Sequence, residues 1–384
     1  MLKGIILADL HFGSCDPEVF YEELEEILIK RIKKMKMLDF IIILGDSLDS
    51  KQYFASTAVK MLIKLIQTLL KETQSLGTII DIIEGTRTHD ALQTEMLSLI
   101  FNDNERLRVF TKVTATTICN ELRVLYIPEE YIIDQYEYYA EYFSDDKFYD
   151  FIFGHGMVDK IWFSKQHIDS NQFSKVPVFK VDELLNKCHY CYFGHIHTPK
   201  TYGDKGRFKY VGSTTRDKFG EEENKGFYEI LIDLETKEIK EDFIVNYMAP
   251  IFMTKIISID KPYTIVELNN LLDKVIDKYI DSCAALRLIV NIDSSIDGFN
   301  TIREFIITKI SQIKKIKLVI STNIPQEAIE SMKDAMDEKI AINDYMFGSD
   351  MTIEDQINKF IQLNSGKNIS VDEIRTYLKD TIMK

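Results

Sequence analysis

Long apolar runs are missing from this sequence of 384 residues. No stretch approaches the roughly 20 uninterrupted apolar residues that a membrane-spanning helix needs. The first residues, MLKGIILADLHFG, also lack the cleavage pattern of a signal peptide. We therefore expect a cytoplasmic protein that does not associate with membranes.

Cysteine is scarce, with five residues scattered through the chain. An odd number without an export signal favours reduced thiols over a disulfide framework. Cys188 and Cys191 have the C-x-x-C spacing, but no second pair of this kind completes a zinc site. We expect buried thiols in the protein core.

An excess of basic residues is also absent, because 61 acidic residues outnumber 47 basic ones and give a net charge of −14. Surfaces that bind nucleic acids usually carry a basic excess or a basic stripe. The composition therefore argues against a protein that binds DNA unaided. If the protein does bind nucleic acid, bound divalent cations would offset the charge of clustered carboxylates, and a partner subunit would supply the basic surface.

The first 200 residues repeat one pattern, in which a short apolar run ends abruptly in a polar cluster containing Asp or His. Amphipathic stretches at helical spacing lie between the early runs. This alternation predicts α/β layering, with the polar clusters gathered at the carboxyl ends of the strands. The runs are Gly4–Ala8, Phe40–Leu44, Thr78–Ile83, Phe148–Phe153 and Tyr190–Phe193.

The remaining sequence divides into further units. From Phe208 to Met248, strands follow each other without helices, which suits a second sheet packed on the first. After Pro250 the pattern reads β-α-β-α-β, which predicts a compact second domain. The predicted organisation is a catalytic domain over 1–248, a cap domain over 249–322, a linker over 323–350 and a helix-loop-helix tail over 351–384.

The tail carries two apolar stripes at helical spacing. Two helices of this length cannot bury both faces against each other, so they must pack on the parent domain or on another chain. The polar linker favours another chain, and packing on the cap is the alternative. The stripes are Ile353, Ile357, Phe360 and Ile361 in the first helix, and Ile374, Tyr377, Leu378 and Ile382 in the second.

Five polar clusters follow the strands in the order D-x-H, G-D-x-x-D, T-H-D, G-H and G-H-x-H, and they hold five of the seven histidines. Mixed carboxylate and imidazole donors suit Mn²⁺, Fe²⁺ or Zn²⁺. Two such ions about 3.5–4 Å apart can clamp a phosphate and lower the pKa of a water between them. The candidate residues are Asp9, His11, Asp46, Asp49, Thr88, His89, Asp90, His155, His195 and His197.

This ordered set resembles the calcineurin-like metallophosphoesterase superfamily over about the first 240 residues. The segments ADLHFG, GHIHTP and YVGSTTRDKFGEEENKGFY look most similar to the SbcD-type nuclease subunit of double-strand-break repair complexes. The second domain and the tail are similar in layout to that family's DNA-facing cap and ATPase-binding region. The resemblance implies a four-layer α/β sandwich with a small α/β cap and a C-terminal helical tail.

The resemblance also implies residue roles. His89 would be the catalytic histidine that neutralises or protonates the leaving oxygen, and Asp90 would orient it. Asp49 would hold His11 or His89 in place. The implied ligands of two divalent ions, with Mn²⁺ favoured, are Asp9, His11, Asp46 and His197 for one ion and Asp46, His155 and His195 for the other.

The loop over 85–90 departs from the family's usual sequence. The family usually reads G-N-H-D, with the Asn as a ligand of the second metal, whereas this chain reads G-T-R-T-H-D over 85–90. Thr88 then stands where the Asn would be, and a neutral hydroxyl is a poorer ligand. Arg87 either contacts a substrate phosphate or is a solvated loop residue.

Glu221–Glu223 is expected to be a solvated acidic turn.

The expected function is that of a Mn²⁺-dependent DNA exonuclease and endonuclease. The implied partner is a coiled-coil ABC-type ATPase similar to SbcC, with the nuclease as a homodimer in a heterotetramer. One alternative is a phosphatase or cyclic-nucleotide phosphodiesterase of the same superfamily, since function is not set by fold. The cap and tail argue against it. Another alternative is an inactive scaffold subunit, for which Thr88 is the support.

Overall fold

The structure is a computed structural model, and it describes residues 1–130, 132, 135–159, 178–293 and 296–322. The predicted linker and tail, including both apolar stripes, lie outside these residues. The strands are β1 (Leu2–Ala8), β2 (Phe40–Leu44), β3 (Ile79–Ile83), β4 (Leu107–Phe110), β5 (Thr114–Ile118), β6 (Leu122–Ile127), β7 (Tyr149–His155), β8 (Met157–Val158), β9 (Val178–Phe179), β10 (Cys188–Gly194), β11 (Lys200–Tyr202), β12 (Phe208–Tyr210), β13 (Gly226–Ile232), β14 (Ile239–Val245), β15 (Phe252–Ile259), β16 (Ala285–Ile292) and β17 (Ile316–Thr322).

Most helices lie between strands, as the alternating pattern predicts. A π-helical turn, Glu25–Ile29, joins the first two helices. The helices are α1 (Pro17–Leu24), α2 (Lys30–Ile32), α3 (Thr57–Glu72), α4 (Glu95–Ile100), α5 (Gln135–Ala140), α6 (Val181–Leu185), α7 (Ile265–Tyr279) and α8 (Phe299–Ile310), with short 3₁₀ turns at Gln74–Leu76, Asp204–Gly206 and Ile280–Ser282.

The first large sheet has the order β14-β13-β1-β2-β3-β4. Strands β1 to β4 are parallel, and β13 and β14 add an antiparallel edge. Ala8 is opposite Leu44, and Leu44 is opposite Ile83, so these three strands end level with one another. The polar residues that follow each strand therefore meet at one edge of the sheet.

The second large sheet has the order β11-β12-β10-β7-β6-β5. Its central strands β6, β7, β10 and β12 are parallel. Ile127 is opposite Gly154, and Gly194 is opposite His155, so these strands also end together. The register brings the residues after β6, β7 and β10 to one edge.

The two sheets pack face to face. Alternate residues of each strand point to opposite faces, so Ile6 and Phe153 share the core between the sheets while Ile5 packs with Leu62 of α3 on the outside. On the far side of the second sheet, Leu125 packs with Leu184 of α6. The resulting order is helices, sheet, sheet, helices, which confirms the predicted α/β sandwich. Strands covered on both faces explain the continuous apolar runs of the sequence.

Strands β15, β16 and β17 form a separate parallel sheet. Helices α7 and α8 connect these strands and bury Leu272 and Ile306 in a core of their own. Thr264 caps α7 in a capping box with Glu267, which satisfies two backbone N–H groups at the helix start. These elements follow the order β-α-β-α-β, and the boundary between catalytic and cap domains stays a prediction. Among the described residues, no helix combines the length and apolarity that crossing a membrane requires.

Candidate metal centre

The polar edges of the two large sheets lie against each other. The His195 backbone N–H donates to Asp9 Oδ1 at 2.8 Å, and His155 Nδ1 lies 2.7 Å from the Leu44 carbonyl oxygen. Gly194 allows this approach, because a Cβ there would lie 2.1 Å from the Leu44 oxygen. The centre is therefore built from both sheets and depends on their close packing.

Four of the predicted ligands have a backbone conformation that residues other than glycine rarely adopt. The φ angles are 49° at Asp9, 46° at His11, 48° at Asp46 and 92° at His195. Each such residue costs on the order of 1–3 kcal/mol, which the surrounding structure must offset. Strain of this kind clusters at functional sites because it directs side chains to positions that relaxed loops cannot reach.

The first donor group contains Asp9, His11 and His197, each with one ligand atom within 4.8 Å of the others. His11 Nε2 lies only 3.0 Å from His197 Nε2 and 3.6 Å from Asp46 Oδ2. Two imidazole nitrogens at this distance need either the hydrogen of one ring or a metal ion between them.

The second donor group contains Asp46, His155 and His195, again within 4.8 Å. His155 Nε2 is 3.3 Å from Asp46 Oδ2. Asp46 also forms a group with His11 and His89, so its carboxylate lies between the two groups. The structure thus brings together all six predicted His and Asp ligands.

The donor set fits divalent metal ions. Asp9 Oδ2 is buried and has no hydrogen-bond partner, and a buried carboxylate oxygen without a partner is costly. A cation held among Asp9, His11 and His197 would satisfy that oxygen. Carboxylate and imidazole donors together are the set that transition-metal ions prefer.

The electrostatics of the centre also favour cations. Burial opposes the charged form of His11, but Asp49, Asp46 and Asp9 outweigh it and raise its pKa to about 9. Burial likewise opposes protonation of His155, and Asp46 with other carboxylates raises its pKa to about 10. The field that retains these protons would equally attract a divalent ion, and metal binding would release the protons.

The predicted catalytic residues lie beside the first donor group. The His89 ring meets the His11 ring edge to face, with centroids 4.6 Å apart. His89 Nδ1 contacts the Asp49 backbone carbonyl. Asp49 Oδ1 lies 3.5 Å from His11 Nδ1, in line with the predicted support of that ring.

Asp90 has a different position from the one predicted. Its carboxylate accepts from Leu48 N at 2.9 Å and from Gly85 N at 2.8 Å. The Asp90 carboxylate therefore connects the loop after β2 to the loop after β3 through two hydrogen bonds. The carbonyl of Asp49, and not Asp90, is the group that orients His89.

The loop over 85–90 corrects the placement of Thr88. Thr86 Oγ1 lies 3.2 Å from His155 Nε2, 3.3 Å from Asp46 Oδ2 and 3.3 Å from His195 Nδ1, inside the second donor group. Thr88 Oγ1 is buried without a hydrogen-bond partner. The reason is that Thr86 N donates to Asp46 Oδ1 at 2.6 Å, which holds the residue directly after Gly85 at the centre. Arg87 is exposed on this loop, and its contact with substrate stays a prediction.

Two carboxylates of the centre were missed by the sequence interpretation. Glu129, after β6, is buried with Oε2 3.3 Å from His195 Nδ1. Glu221 is also buried, contrary to the expected solvated turn, and its Oε1 lies 2.9 Å from His197 Nδ1 and 3.2 Å from Lys225 Nζ. The available signal for Glu129 was its place two residues after a buried strand.

No family model matches the chain, and no curated protein matches it. Among solved structures, TT1561 of Thermus thermophilus is similar at 11% identity and a TM-score of 0.36, over 63% of this chain and 99% of that one. A candidate 5'-nucleotidase of Staphylococcus aureus, solved with α-ketoglutarate, shares 12% identity at a TM-score of 0.39, over 73% of this chain and 59% of that one. These similarities are too weak to carry an argument, so fold and site rest on the chain's own geometry.

Proposed function

We propose that the chain is a two-metal phosphodiesterase that cleaves DNA, as the nuclease subunit of an SbcC–SbcD-type complex that processes double-strand breaks. The observation that carries this proposal is the pair of donor groups that meet at Asp46. One group of three donors would suit a structural or mononuclear site. Two adjacent groups, with Asp46 of one 3.6 Å from His11 of the other, match the arrangement that in-line phosphoryl chemistry uses.

Asp9, His11 and His197 would hold one ion, and Asp46 would link it to the second group. His155 and His195 would complete the second group with Asp46. Divalent ions bound there, for which Mn²⁺ is proposed, would polarise a phosphoryl oxygen and activate a water for attack.

His89 is placed to assist the leaving group. A carbonyl oxygen only accepts hydrogen bonds, so the contact with Asp49 requires a proton on His89 Nδ1. The other ring nitrogen, Nε2, is then the atom available to the reacting phosphate. In the protonated ring, Nε2–H can donate to a leaving oxygen, and this transfer usually contributes roughly 10²–10⁴-fold to a rate.

DNA is proposed as the substrate because the motifs resemble the SbcD-type nucleases. The net charge of −14 makes unaided DNA binding unfavourable. We therefore propose that a coiled-coil ABC-type ATPase supplies DNA affinity to a nuclease homodimer within a heterotetramer.

End-labelled DNA tests the activity. We expect cleavage with Mn²⁺, less with Mg²⁺, and a gain in rate when the ATPase is added. The variant Asp46→Ala should be inactive, and Asp242→Ala, at an exposed acidic position on β14, should match the wild type. Hydrolysis of a nitrophenyl phosphate ester without DNA cleavage under any of these conditions would instead favour the phosphatase alternative. A chain that binds no metal would favour the scaffold alternative.

Docking of the ATPase is proposed for residues 351–384. Truncation after Gly348 should leave the melting temperature and Mn²⁺-dependent cleavage of short DNA unchanged, yet abolish co-purification with the ATPase. A large fall in melting temperature with partner binding retained would show that the tail packs on its own chain.

A further inference from the structure

Two neighbouring aromatic side chains are exposed on the loop that joins β2 to α3. Tyr53 is 89% exposed and Phe54 is 65% exposed. Exposed apolar residues scattered singly need no explanation, whereas an exposed apolar patch at a functional site indicates binding. The same loop carries Asp46 and Asp49 of the metal centre. The aromatic pair therefore belongs to the segment that would face a substrate phosphate.

Hydrogen bonds fix the chain just before this pair at the edge that carries the metal centre. Gln52 N donates to Gln93 Oε1, and Gln93 Nε2 donates to the Gln52 carbonyl oxygen, both at 2.7 Å. A Cβ on Gly13 would lie only 3.0 Å from Gln52 Nε2. Gln52 thus lies between the loops that follow β1 and β3, which also carry His11 and His89.

The chain after the pair is fixed by the start of α3. Ser56 N donates to the Tyr53 carbonyl oxygen at 2.8 Å, and Ser56 Oγ caps the helix by accepting from Val59 N at 3.3 Å. The four residues from Asp49 to Tyr53 span at most about 14 Å. One strand of B-form DNA advances about 3.4 Å per nucleotide, so bases within about four nucleotides of the scissile phosphate can reach the pair.

The charge of the protein favours contacts to bases over contacts to the phosphate backbone. Basic surfaces bind DNA through its phosphates, but this chain has a net charge of −14. Aromatic rings stack on any base, because every base has a π-face, and the contact requires no charged group. Inside a duplex these faces are covered by the neighbouring base pairs. Unpaired bases are therefore the partners that suit two exposed rings.

We propose that Tyr53 and Phe54 form a stacking surface for unpaired nucleobases beside the cleaved phosphate, so that the substrate is single-stranded DNA or a DNA end with unpaired nucleotides. This inference rests on the proposed DNA substrate, but not on the identity or number of the metal ions. Each stacked base should contribute roughly 5–150-fold to affinity. The contribution should persist at high salt, where phosphate contacts weaken.

A fluorescent base tests stacking directly. The probe is single-stranded DNA with 2-aminopurine, whose fluorescence falls on stacking, placed in turn at the first four positions from either end. The His89→Ala background with Mn²⁺ keeps the DNA intact. Combined Tyr53→Ala and Phe54→Ala should abolish the fall and weaken binding, whereas combined Tyr53→Phe and Phe54→Tyr should match the parent because both rings remain. Unchanged fluorescence and affinity in the alanine variant would overturn the proposal.

Control variants separate stacking from other roles of the pair, and the melting temperature of each shows whether it is folded. Phe148 is also exposed but directly precedes β7, at the opposite end of the strand from His155, so Phe148→Ala should behave as the parent. Combined Tyr53→Leu and Phe54→Leu keeps an apolar surface without rings and should lose the fluorescence change. Retention of the change in the leucine variant would overturn the proposal.

Two further outcomes distinguish this inference from its rivals. An alanine variant with unchanged fluorescence but a lower mass in sedimentation would identify a contact between subunits and overturn the proposal. Wild-type protein that stacks 2-aminopurine but cleaves no DNA would contradict the proposed function and leave this inference standing. Equal kcat/KM for single-stranded DNA in the wild type and the alanine variant would contradict this inference and leave the proposed function standing.

Discussion

The two donor groups of the centre differ in how they are supported. In the first group, His11 and His197 are each held by a carboxylate outside the group, Asp49 at 3.5 Å and Glu221 at 2.9 Å. In the second group, the Leu44 carbonyl holds His155 at 2.7 Å, and Glu129 Oε2 lies 3.3 Å from His195 Nδ1. The histidines of the first group are thus supported by two carboxylates, and those of the second group by one backbone carbonyl and one carboxylate.

This difference has a consequence for metal binding. A carboxylate behind a histidine fixes the ring and increases its basicity, and its loss weakens a site without removing a ligand. A backbone carbonyl also fixes a ring, but it carries no net charge and no side-chain substitution removes it. We therefore expect the two metals to respond to different substitutions, except where a residue serves both groups.

Asp46 is the residue that serves both groups, and its removal should have the largest effect. In Asp46→Ala, both groups lose the carboxylate that lies between them, so both ions should bind more weakly. Elemental analysis after Mn²⁺ loading should show loss of both ions together with loss of activity. Unchanged Mn²⁺ occupancy would mean that Asp46 does not link the two donor groups, and that the assignment of ligands to them is wrong.

His89 should separate catalysis from binding. His89→Ala is expected to retain Mn²⁺ and DNA binding while the chemical step slows by roughly 10²–10⁴-fold. Single-turnover cleavage measures the step, and metal analysis is its control. Because His89 also lies within 4.8 Å of ligand atoms of His11 and Asp46, loss of metal would identify it as a ligand instead.

Glu221 should affect the first group alone. Glu221→Gln removes the charge next to His197 Nδ1, and we expect the first Mn²⁺ to bind roughly 10–100-fold more weakly. Calorimetric titration should show the second ion unchanged. Equal weakening of both ions would show that the two groups are not separately supported.

Thr86 and Thr88 offer a matched pair with the smallest expected effect. Thr86→Val removes the hydroxyl inside the second group and should weaken the second ion by up to about tenfold, the contribution of one hydrogen bond. Thr88→Val removes a buried hydroxyl without a partner, so Mn²⁺ affinity should not change and the melting temperature should rise. Weaker binding of the second ion in Thr88→Val, with Mn²⁺ affinity unchanged in Thr86→Val, would show that Thr88 and not Thr86 belongs to the second donor group.

The sequence alone was enough to predict which strand ends carry the candidate ligands. The strand ends could be located from apolar runs that stop at a polar residue, and parallel strands bring such ends together. That reasoning placed Asp9 and Asp46 at the edge of the first sheet, and His155 and His195 at the edge of the second. The alternation of helices and strands was likewise sufficient for the sandwich.

The remaining features depend on contacts between distant residues. Thr86 rather than Thr88 faces the centre because Asp46 and Asp90 hold the start of the loop, and neither bond is visible in a one-dimensional pattern. Glu221 belongs to an acidic run that is typical of exposed turns, but its carboxylate is buried in contact with Lys225 and His197. Glu129 follows a strand as the predicted ligands do, but a single Glu has no spacing that marks it.

The central claim is that two metal ions lie next to each other and share Asp46. Electron paramagnetic resonance of the protein titrated with Mn²⁺ tests it most directly. The account predicts that the mononuclear signal seen with the first equivalent is replaced by an exchange-coupled spectrum when the second binds, and that Asp46→Ala never shows this coupling. Two independent mononuclear signals at saturation in the wild type would contradict it.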